Sequence, residues 1–495
     1  MSKNRLANQM KVETSMKLTE NGQLAYGDTG SALLNMFAEG GAVRSRLQDV
    51  ADLFSSAYAE DKLLALKMAF YMRDIRGKFS GLGERAFMRE VLKWMAVNDA
   101  DVLKKNLHLV PFYGRWDDLY ALVGTPLEKD AFDLMWAQWG ADIENAKAEK
   151  PISLMAKWLK STNTSSADSR KLGRLTAKHL GMTVPVYRKA LSVLRGYLPV
   201  TEVLMSRNAW GEIDFEAVPS KCHTNNRKAF GRHEQERYEE YLNRVEKGEA
   251  VIKSATLYPY DIFEAMGFNF SGYGGGNFGF DSPDKTLELQ WKALPDYVGE
   301  GSNILVMADT SGSMQGRPIC TSVGLAVYFA ERNTGMWKDT FLTFSSFPSL
   351  VILKGNTLAE KVKCVLSIVE NTDLAKAFDL VLSSAVSAGI SKEEMPRAIV
   401  VISDMEIDDC RGAETFHKTY VKKFAQAGYE LPYVVYWQVD SRQNVFHATS
   451  EYAGVMLASG QSPSVFASII ANIGKSPMEA MLNVLNDERY APVTI

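Results

Sequence analysis

The residues best suited to chemistry form one short stretch, Asp309-Thr310-Ser311-Gly312-Ser313. An apolar run ends at Ala308, and a helix-like segment follows from about Ile319 to Asn333. A buried strand that ends on Asp309 would present one carboxylate and two serine hydroxyls on the same side of a tight loop. Hard oxygen donors of this kind suit Mg²⁺, which also keeps positions for water or another ligand. The stretch therefore predicts a divalent-ion site.

Other interpretations fit the stretch when it is taken alone. It has some likeness to the Asp-Thr-Gly triplet of aspartic proteases, but Ser311 interrupts that triplet and the sequence has no second copy to form a carboxylate dyad. A phosphoryl-accepting aspartate usually has a second acid two residues later, where this chain has Ser311. A polar turn that caps the next helix without any ion stays open as an alternative.

The elements that must position this stretch lie beyond residue 301, where apolar runs alternate with helical segments. The predicted strands are residues 303–309, 340–344, 350–354, 398–404, 433–439 and 455–457. The predicted helices are residues 319–333, 358–369, 374–388, 414–427, 464–473 and 477–485. Such alternation predicts a doubly wound, mostly parallel sheet that helices cover on both faces.

Two strand ends and one loop of this sheet are predicted to meet. The strands that end at Asp309 and Asp404 can be neighbours, since ligands bind beyond the strand carboxyl ends where the strand order reverses. The loop before Leu374 contributes a third polar segment. The predicted ligands are Asp309, Ser311, Ser313, Thr372 and Asp404.

This set resembles the metal-ion-dependent adhesion site of von Willebrand factor A (vWA) domains, whose pattern is Asp-x-Ser-x-Ser, a distant Thr and a distant Asp. The resemblance implies that Ser311, Ser313 and Thr372 coordinate Mg²⁺ or Mn²⁺ directly. It also implies that Asp309 and Asp404 act directly or through water. In vWA domains a partner carboxylate takes the remaining position on the ion. The same incompletely neutralised cation would also accept a phosphate oxygen.

The chain before residue 301 has a different pattern. Residues 1–30 are polar and contain several glycines, so we expect a flexible arm. Residues 31–300 carry apolar side chains at helical spacing, which predicts an α-helical repeat domain in the form of a HEAT-like solenoid or ring. Residues 301–495 would then form the vWA-like domain.

The helical part also carries local positive charge. The whole chain has a net charge of −3, yet residues 157–232 contain 14 Lys and Arg against 5 Asp and Glu. Three of these cations follow one helix face at three- and four-residue spacing, and two more lie further along the chain. A basic face is typical of a protein that binds a phosphate backbone, although a solvated surface is the plainer alternative. The predicted RNA contacts are Lys171, Arg174, Lys178, Arg188 and Arg195.

Several motifs resemble the DUF2828 proteins of plants, bacteria and large viruses. They are residues 71–77, 81–85, 113–119, 158–166, 219–222, 257–261 and 402–406. A helical domain followed by a vWA domain also resembles, more distantly, the Ro autoantigen, whose TROVE module binds non-coding RNA. The Ro resemblance implies a ring of helical repeats whose basic face binds single-stranded ends or duplexes of small non-coding or misfolded RNA.

The composition limits the possible functions. The chain is 46% hydrophobic and 23% charged, and it lacks both a signal-peptide pattern and an apolar run of the roughly 20 residues that a membrane helix needs. Its four cysteines form no C-x-x-C pair, so we expect a cytoplasmic protein with no membrane partner. The favoured function is non-catalytic RNA binding. The alternative is a scaffold whose ion site captures an acidic protein partner. A metal-dependent hydrolase is disfavoured, since the histidines are scattered and no catalytic triad order is evident.

Overall fold

The structure is a computed structural model that describes residues 5–75, 81–198, 200–270, 278–279, 284–299, 303–344, 347–365, 373–409, 414–450 and 452–495. A helix-rich region leads into a mixed, mostly parallel sheet of six strands flanked by helices. This confirms the fold class predicted from the sequence, and the arrangement is consistent with a vWA-like domain. No helix in the described ranges is both long enough and apolar enough to cross a membrane.

The first segment of the chain is folded, so the prediction of a flexible arm is wrong for residues 5–30. It consists of α1 (Arg5–Thr14), β1 (Met16–Leu18) and β2 (Leu24–Tyr26), and the two strands pair as an antiparallel hairpin. Tyr26 and Phe446 exchange two backbone hydrogen bonds of 2.8 Å, and the Thr19 hydroxyl donates to the Ile407 carbonyl at 2.7 Å. An isolated two-stranded hairpin is marginally stable, so these distant contacts are what order the segment.

The helical region contains fifteen α-helices among the described residues and one short strand pair, β3 (Asn269–Phe270) and β4 (Phe278–Gly279). The helices are α2 (Ala32–Glu39), α3 (Val50–Glu60), α4 (Lys62–Arg73), α5 (Arg85–Asn98), α6 (Ala100–Asn106), α7 (Leu109–Tyr113), α8 (Glu128–Lys147), α9 (Met155–Trp158), α10 (Ala167–His179), α11 (Val184–Gly196), α12 (Thr201–Ser206), α13 (Ser220–His233), α14 (Gln235–Glu246), α15 (Pro259–Ala265) and α16 (Lys285–Lys292). Side-chain caps begin several of them: the Asp61 carboxylate accepts the Leu64 N–H at 2.9 Å and satisfies one of the free donors at the start of α4.

Buried ion pairs fix the early helices to one another. Asp118, which is fully buried, accepts from Arg73 at 2.8 Å and from Arg89 at 3.0 Å. Asp117 is paired with Arg115 at 2.9 Å. The motif at residues 113–119 therefore holds α4, α5 and the following 3₁₀ turn (Trp116–Leu122) together.

The end of the helical region meets its beginning. The Tyr258 hydroxyl, just before α15, donates to the Leu82 carbonyl at 3.4 Å. Gly83 is required at this contact, because its φ is +75° and a Cβ there would lie 2.8 Å from the Tyr258 oxygen. The residues just before α15 thus contact the loop just before α5.

The six-stranded sheet consists of β5 (Ile304–Asp309), β6 (Thr340–Phe344), β7 (Ser349–Ile352), β8 (Ala398–Ser403), β9 (Tyr433–Gln438) and β10 (Val455–Ser459). Its spatial order is β10-β9-β8-β5-β6-β7, and only the edge strand β7 is antiparallel. The helices are α17 (Arg317–Arg332), α18 (Leu358–Lys363), α19 (Leu374–Ala388), α20 (Phe416–Gln426), α21 (Val465–Asn472) and α22 (Pro477–Leu485). The chain winds outward from β5 to one side and from β8 to the other, so the order reverses between these two strands.

Candidate metal centre and nucleic-acid interface

The ends of β5 and β8 bring together the two predicted carboxylate ligands. The strands are direct neighbours, with Ala308 opposite Ile402. Asp309 is the last residue of β5 and Asp404 follows β8, and both side chains are buried. A parallel pair in which both strands continue into polar turns therefore places two acids in the same crevice, as the sequence predicted.

Asp309 is held in place by two hydrogen bonds. Its Oδ1 accepts the Ser311 N–H at 2.9 Å, and its Oδ2 accepts the Ser403 hydroxyl at 2.5 Å. Burial, and then the nearby negative charge of Asp404, raise the pKa of Asp309 to about 7. The charge of Asp404 thus opposes the ionisation of Asp309, and a cation between the two carboxylates would relieve that opposition.

The two predicted serine ligands lie next to each other in the turn after β5. A 3₁₀ turn, Gly312–Met314, brings the Ser311 and Ser313 hydroxyl oxygens to 2.9 Å. The buried Met314 anchors the turn to the core. This spacing presents two neutral oxygens beside the Asp309 carboxylate.

Asp404 carries the clearest sign of a missing ligand. Its Oδ1 accepts the Glu406 N–H at 3.2 Å, while the buried Oδ2 has no hydrogen-bond donor within the described part of the chain. The nearest cation is the Arg442 Nε at 3.9 Å. A buried carboxylate oxygen that accepts no hydrogen bond is costly, and a divalent ion would satisfy it.

These residues fit a small divalent ion that takes oxygen ligands. Asp309, Asp404, Ser311 and Ser313 supply two carboxylates and two hydroxyls, which suits Mg²⁺ or Mn²⁺. Thr372, the fifth predicted ligand, lies outside the described residues; the next residue, Asp373, caps α19 by accepting the Lys376 N–H at 3.0 Å. Across the described ranges, no group of three or more His, Cys, Asp or Glu side chains has a metal-binding arrangement. Ion binding at this site would thus depend on the serine hydroxyl oxygens as well as on the two carboxylates.

The surroundings of the ion site include residues that the sequence did not indicate. The buried Glu406 accepts the Glu20 N–H at 2.6 Å and the Gln443 side-chain amide at 2.9 Å through the same oxygen. Burial raises the pKa of Glu406. Glu406 thus attaches the N-terminal hairpin to the loop after Asp404. No local signal points to this contact, since 386 residues separate its partners.

The predicted RNA contacts on α10 lie on an exposed surface. Lys171, Arg174 and Lys178 are solvent-exposed. None of the three has an ion-pair partner among the residues that the structure describes. Cations without acidic partners keep their charge available for a phosphate.

Arg188 on α11 is likewise exposed and lines a cavity of about 560 Å³. Lys189 lies beside it, and the loop at residues 161–163 forms the opposite wall. In that wall the buried Thr162 hydroxyl has no hydrogen-bond partner in the described ranges. A second cavity of about 490 Å³ shares Ser192 and Arg195 with the first, and Lys157 and Arg207 also line it.

Arg195 differs from the other four predicted contacts. Its guanidinium donates to the Ala156 carbonyl at 2.9 Å, the Leu159 carbonyl at 2.8 Å and the Ser161 hydroxyl at 2.9 Å. Burial lowers its pKa. Arg195 therefore stabilises the end of α9, and its contact with RNA stays a prediction.

The fold and the crevice define a class of protein in which a helix-rich region is joined to a doubly wound sheet, with two buried carboxylates and two serine hydroxyls at one edge of that sheet. A DUF2828 family model, a domain of unknown function, matches residues 19–138 and 140–303, and a second such model, DUF7788, matches residues 303–488. The chain belongs to the DUF2828 family, as its motifs predicted.

Two similar proteins extend over most of the chain. Uncharacterized protein L728 of Acanthamoeba polyphaga mimivirus is 28% identical over 525 residues, which span 97% of this chain and 89% of the relative. The crystal structure of the Deinococcus radiodurans RO (RSR) protein aligns with a TM-score of 0.48 and 16% identity, covering 88% of this chain and 98% of that one. A likeness at this TM-score does not by itself establish a common fold.

Proposed function

We propose that this protein is a non-catalytic RNA-binding protein whose helical region holds the phosphate backbone and whose sheet domain carries a divalent ion. One observation supports the RNA-binding part above all. Arg188 and Lys189 of α11 are exposed and line an open cavity, which shares Ser192 and Arg195 with a second cavity lined by Lys157 and Arg207.

The arrangement suits backbone binding without base-specific recognition. Arg188 and Lys189 line the first cavity, and Lys157 and Arg207 line the second together with one acid, Glu202, so the cations outnumber the acids around the two adjoining cavities. A positively charged groove follows a strand through its phosphates, and the released counterions make the affinity depend on salt. RNA affinity should therefore fall with a slope of about −0.7 per phosphate contact in a log–log plot of the binding constant against salt.

The test is fluorescence anisotropy with a labelled single-stranded RNA over a series of salt concentrations. The variant Lys171→Glu, Arg174→Glu, Lys178→Glu should bind at least about tenfold more weakly and show a shallower salt slope. The matched control is Lys129→Glu, Lys147→Glu, Lys150→Glu, which reverses the same number of exposed charges on and just after α8. RNA binding that ignores salt, or an equal loss in the control, would refute the proposal.

The ion site would be formed by Asp309, Ser311, Ser313, Asp404 and Thr372. The bound ion would supply a positively charged position that accepts an anionic oxygen. The buried Asp404 Oδ2, which accepts no hydrogen bond from the described residues, supports this assignment. Isothermal titration with Mn²⁺ measures it directly, and wild-type protein that binds no Mn²⁺ would contradict it.

The second candidate is a protein-interaction scaffold in which the ion captures a partner's carboxylate. It is favoured by the guanidinium of Arg442, which lies at the edge of the ion site and already pairs with a carboxylate, that of Glu20, at 3.2 Å. This candidate predicts a protein partner that is lost with a chelator or in Asp309→Ala. It also predicts that the charge-reversed α10 variant keeps that partner.

A further inference from the structure

Arg442 occupies a position between the N-terminal hairpin and the ion site. It lies in the loop that follows β9, and its Nη2 donates to the Ser313 carbonyl at 2.6 Å. Its Nη1 donates to Glu20 Oε2 at 3.2 Å, and its Nε lies 3.9 Å from Asp404 Oδ2. One guanidinium therefore contacts a predicted ligand residue, approaches a second and pairs with a carboxylate from the far end of the chain.

The backbone on both sides of this guanidinium is fixed. The Glu20 N–H and the Gln443 side-chain amide both donate to the buried Glu406 carboxylate, and the Asn21 amide donates to the Glu406 carbonyl at 2.6 Å. Gln443 also reaches back to the Leu18 carbonyl at 3.4 Å. The Arg442 side chain nevertheless keeps 35% of its surface exposed, so a molecule from solvent can reach it.

We propose that Arg442 is the second anion-binding group of the ion site, that the anion is a carboxylate of an acidic protein segment, and that Glu20 occupies the guanidinium until that segment arrives. This inference rests on the proposed ion site. An arginine presents a planar fork that matches a carboxylate, and the ion keeps one position for an oxygen ligand. A carboxylate in the mouth of the site would therefore meet positive charge on two sides.

The Glu20 pair shows that this guanidinium binds a carboxylate at the mouth of the site. Glu20 pairs with it at 3.2 Å from an exposed position. The Glu20 side chain is 48% exposed, so water competes with the pair and an external acid can replace it. A contact of this kind acts as an internal substitute for a ligand and lowers the ligand's apparent affinity.

The positive charge of Arg442 should act in opposite directions on the ion and on the anion. It repels a divalent cation bound by Asp404 and attracts the carboxylate that the cation accepts. Replacing Arg442 with a neutral residue should thus strengthen ion binding and weaken anion binding. A residue that only maintained the local structure would weaken both when replaced.

The experiment measures two affinities in the full chain. The first is for Mn²⁺ alone, by isothermal titration. The second is for a fluorescein-labelled peptide of alternating Asp and Ser at saturating Mn²⁺, with an Asn-for-Asp peptide as the ligand control. The variants are Arg442→Gln and Glu20→Gln. The matched control is Arg397→Gln, an exposed arginine that precedes β8 at the opposite end of the strand.

Arg442→Gln should bind Mn²⁺ about threefold to tenfold more tightly, because a partly exposed charge a few ångströms from the ligand is removed. The same variant should bind the Asp peptide at least about tenfold more weakly, since a charge-assisted pair is lost. Glu20→Gln should bind the Asp peptide several-fold more tightly because the internal competitor is gone. Arg397→Gln should match the wild type in both measurements.

Several results would overturn this assignment. If Arg442→Gln weakens both Mn²⁺ and peptide binding, the arginine is structural. If it leaves peptide binding intact, Arg442 is not an anion-binding group of the site. If a 5′-phosphorylated RNA binds at the site in place of the peptide, the carboxylate assignment fails. Wild-type protein that binds Mn²⁺ but no Asp peptide also refutes it. Wild-type protein that binds no Mn²⁺ refutes the ion site itself and is distinguishable from the other outcomes.

Discussion

The proposed ion site and the basic surface of α10 differ in how far their charged side chains are buried and fixed. Asp309 and Asp404 are buried at the ends of adjacent strands, and backbone groups of the following turns fix their orientation. Lys171, Arg174 and Lys178 are exposed on one helix and have long, unbranched side chains. The difference indicates that the first region would be organised before an ion bound, whereas the second would adapt to a bound strand.

This difference affects stability as well as binding. Two buried carboxylates near each other cost folding free energy until a cation joins them. Exposed lysines and arginines cost almost nothing, because water and salt screen them. The ion should therefore stabilise the fold measurably, while RNA should bind without a large change in the sheet domain.

The largest expected effect comes from replacing one buried ligand. Asp404→Asn should lower Mn²⁺ affinity by at least about 100-fold, since even residues one shell further from a metal usually contribute about 10- to 100-fold. Isothermal titration measures the loss, and Asp379→Asn on the surface of α19 is the control. If the two regions are independent, Asp404→Asn keeps the RNA affinity of the wild type. A parallel loss of RNA binding would show that the two regions are coupled.

The second effect distinguishes two arginines of the same helix. Arg195→Gln should lower the free energy of unfolding by about 1–3 kcal/mol, because the Ala156 and Leu159 carbonyls lose a charged donor. Arg188→Gln, on the exposed side, should leave it within about 0.5 kcal/mol. Urea unfolding monitored by circular dichroism measures both. Equal stabilities would show that Arg195 belongs to the exposed, adaptable group after all.

A third and smaller effect concerns the contribution of Arg188 to RNA binding. Arg188→Gln should weaken single-stranded RNA binding several-fold and reduce the salt slope by about one contact. Its exposed position and freedom from ion pairs in the described residues give it a charge to contribute. Anisotropy at two or more salt concentrations measures the slope. An unchanged slope would place the phosphate path elsewhere on the helical region.

The sequence predicted the two strand ends well because strand ends are local features. Apolar runs that stop at Asp309 and Asp404 indicate both the strands and the edge where they finish, and parallel pairing places both acids at the same edge. The helix at Leu374–Ala388 was likewise bounded correctly, since Asp373 caps its start and Gly389 ends it with a positive φ. Thr372 stays a prediction, because it lies outside the described residues.

Contacts between distant parts of the chain could not be predicted. The N-terminal hairpin consists of two three-residue strands, and its order depends on Phe446 and Ile407 far along the chain. Arg442 and Glu20 meet for the same reason. The sequence also could not distinguish the roles of Arg188 and Arg195, since both are arginines of α11. Only the packing of α9 shows that Arg195 donates hydrogen bonds to backbone carbonyls.

The smallest expected effect is a pH dependence that is specific to the buried site. The pKa of Asp309 rises from its ordinary value of 3.8 to about 7 through burial and the charge of Asp404. Without metal, the native state therefore keeps this proton to a higher pH than the unfolded state does. The stabilisation from protonated Asp309 is complete below about pH 4 and is lost as the pH rises toward 7.

Three buried histidines act in the opposite direction, so the measurement must be a difference. Burial lowers the pKa of His223, His417 and His447 to about 4, which makes stability increase with pH up to about 6.5. Subtracting the melting temperature of Asp309→Asn at each pH removes their contribution. With a chelator, the wild type should lose a few degrees relative to Asp309→Asn between pH 5 and pH 8. Saturating Mg²⁺ should cancel that loss, because the ion stabilises the ionised carboxylate. If the difference in melting temperature between the two proteins does not change with pH, Asp309 ionises as freely as the exposed acids of the helical region.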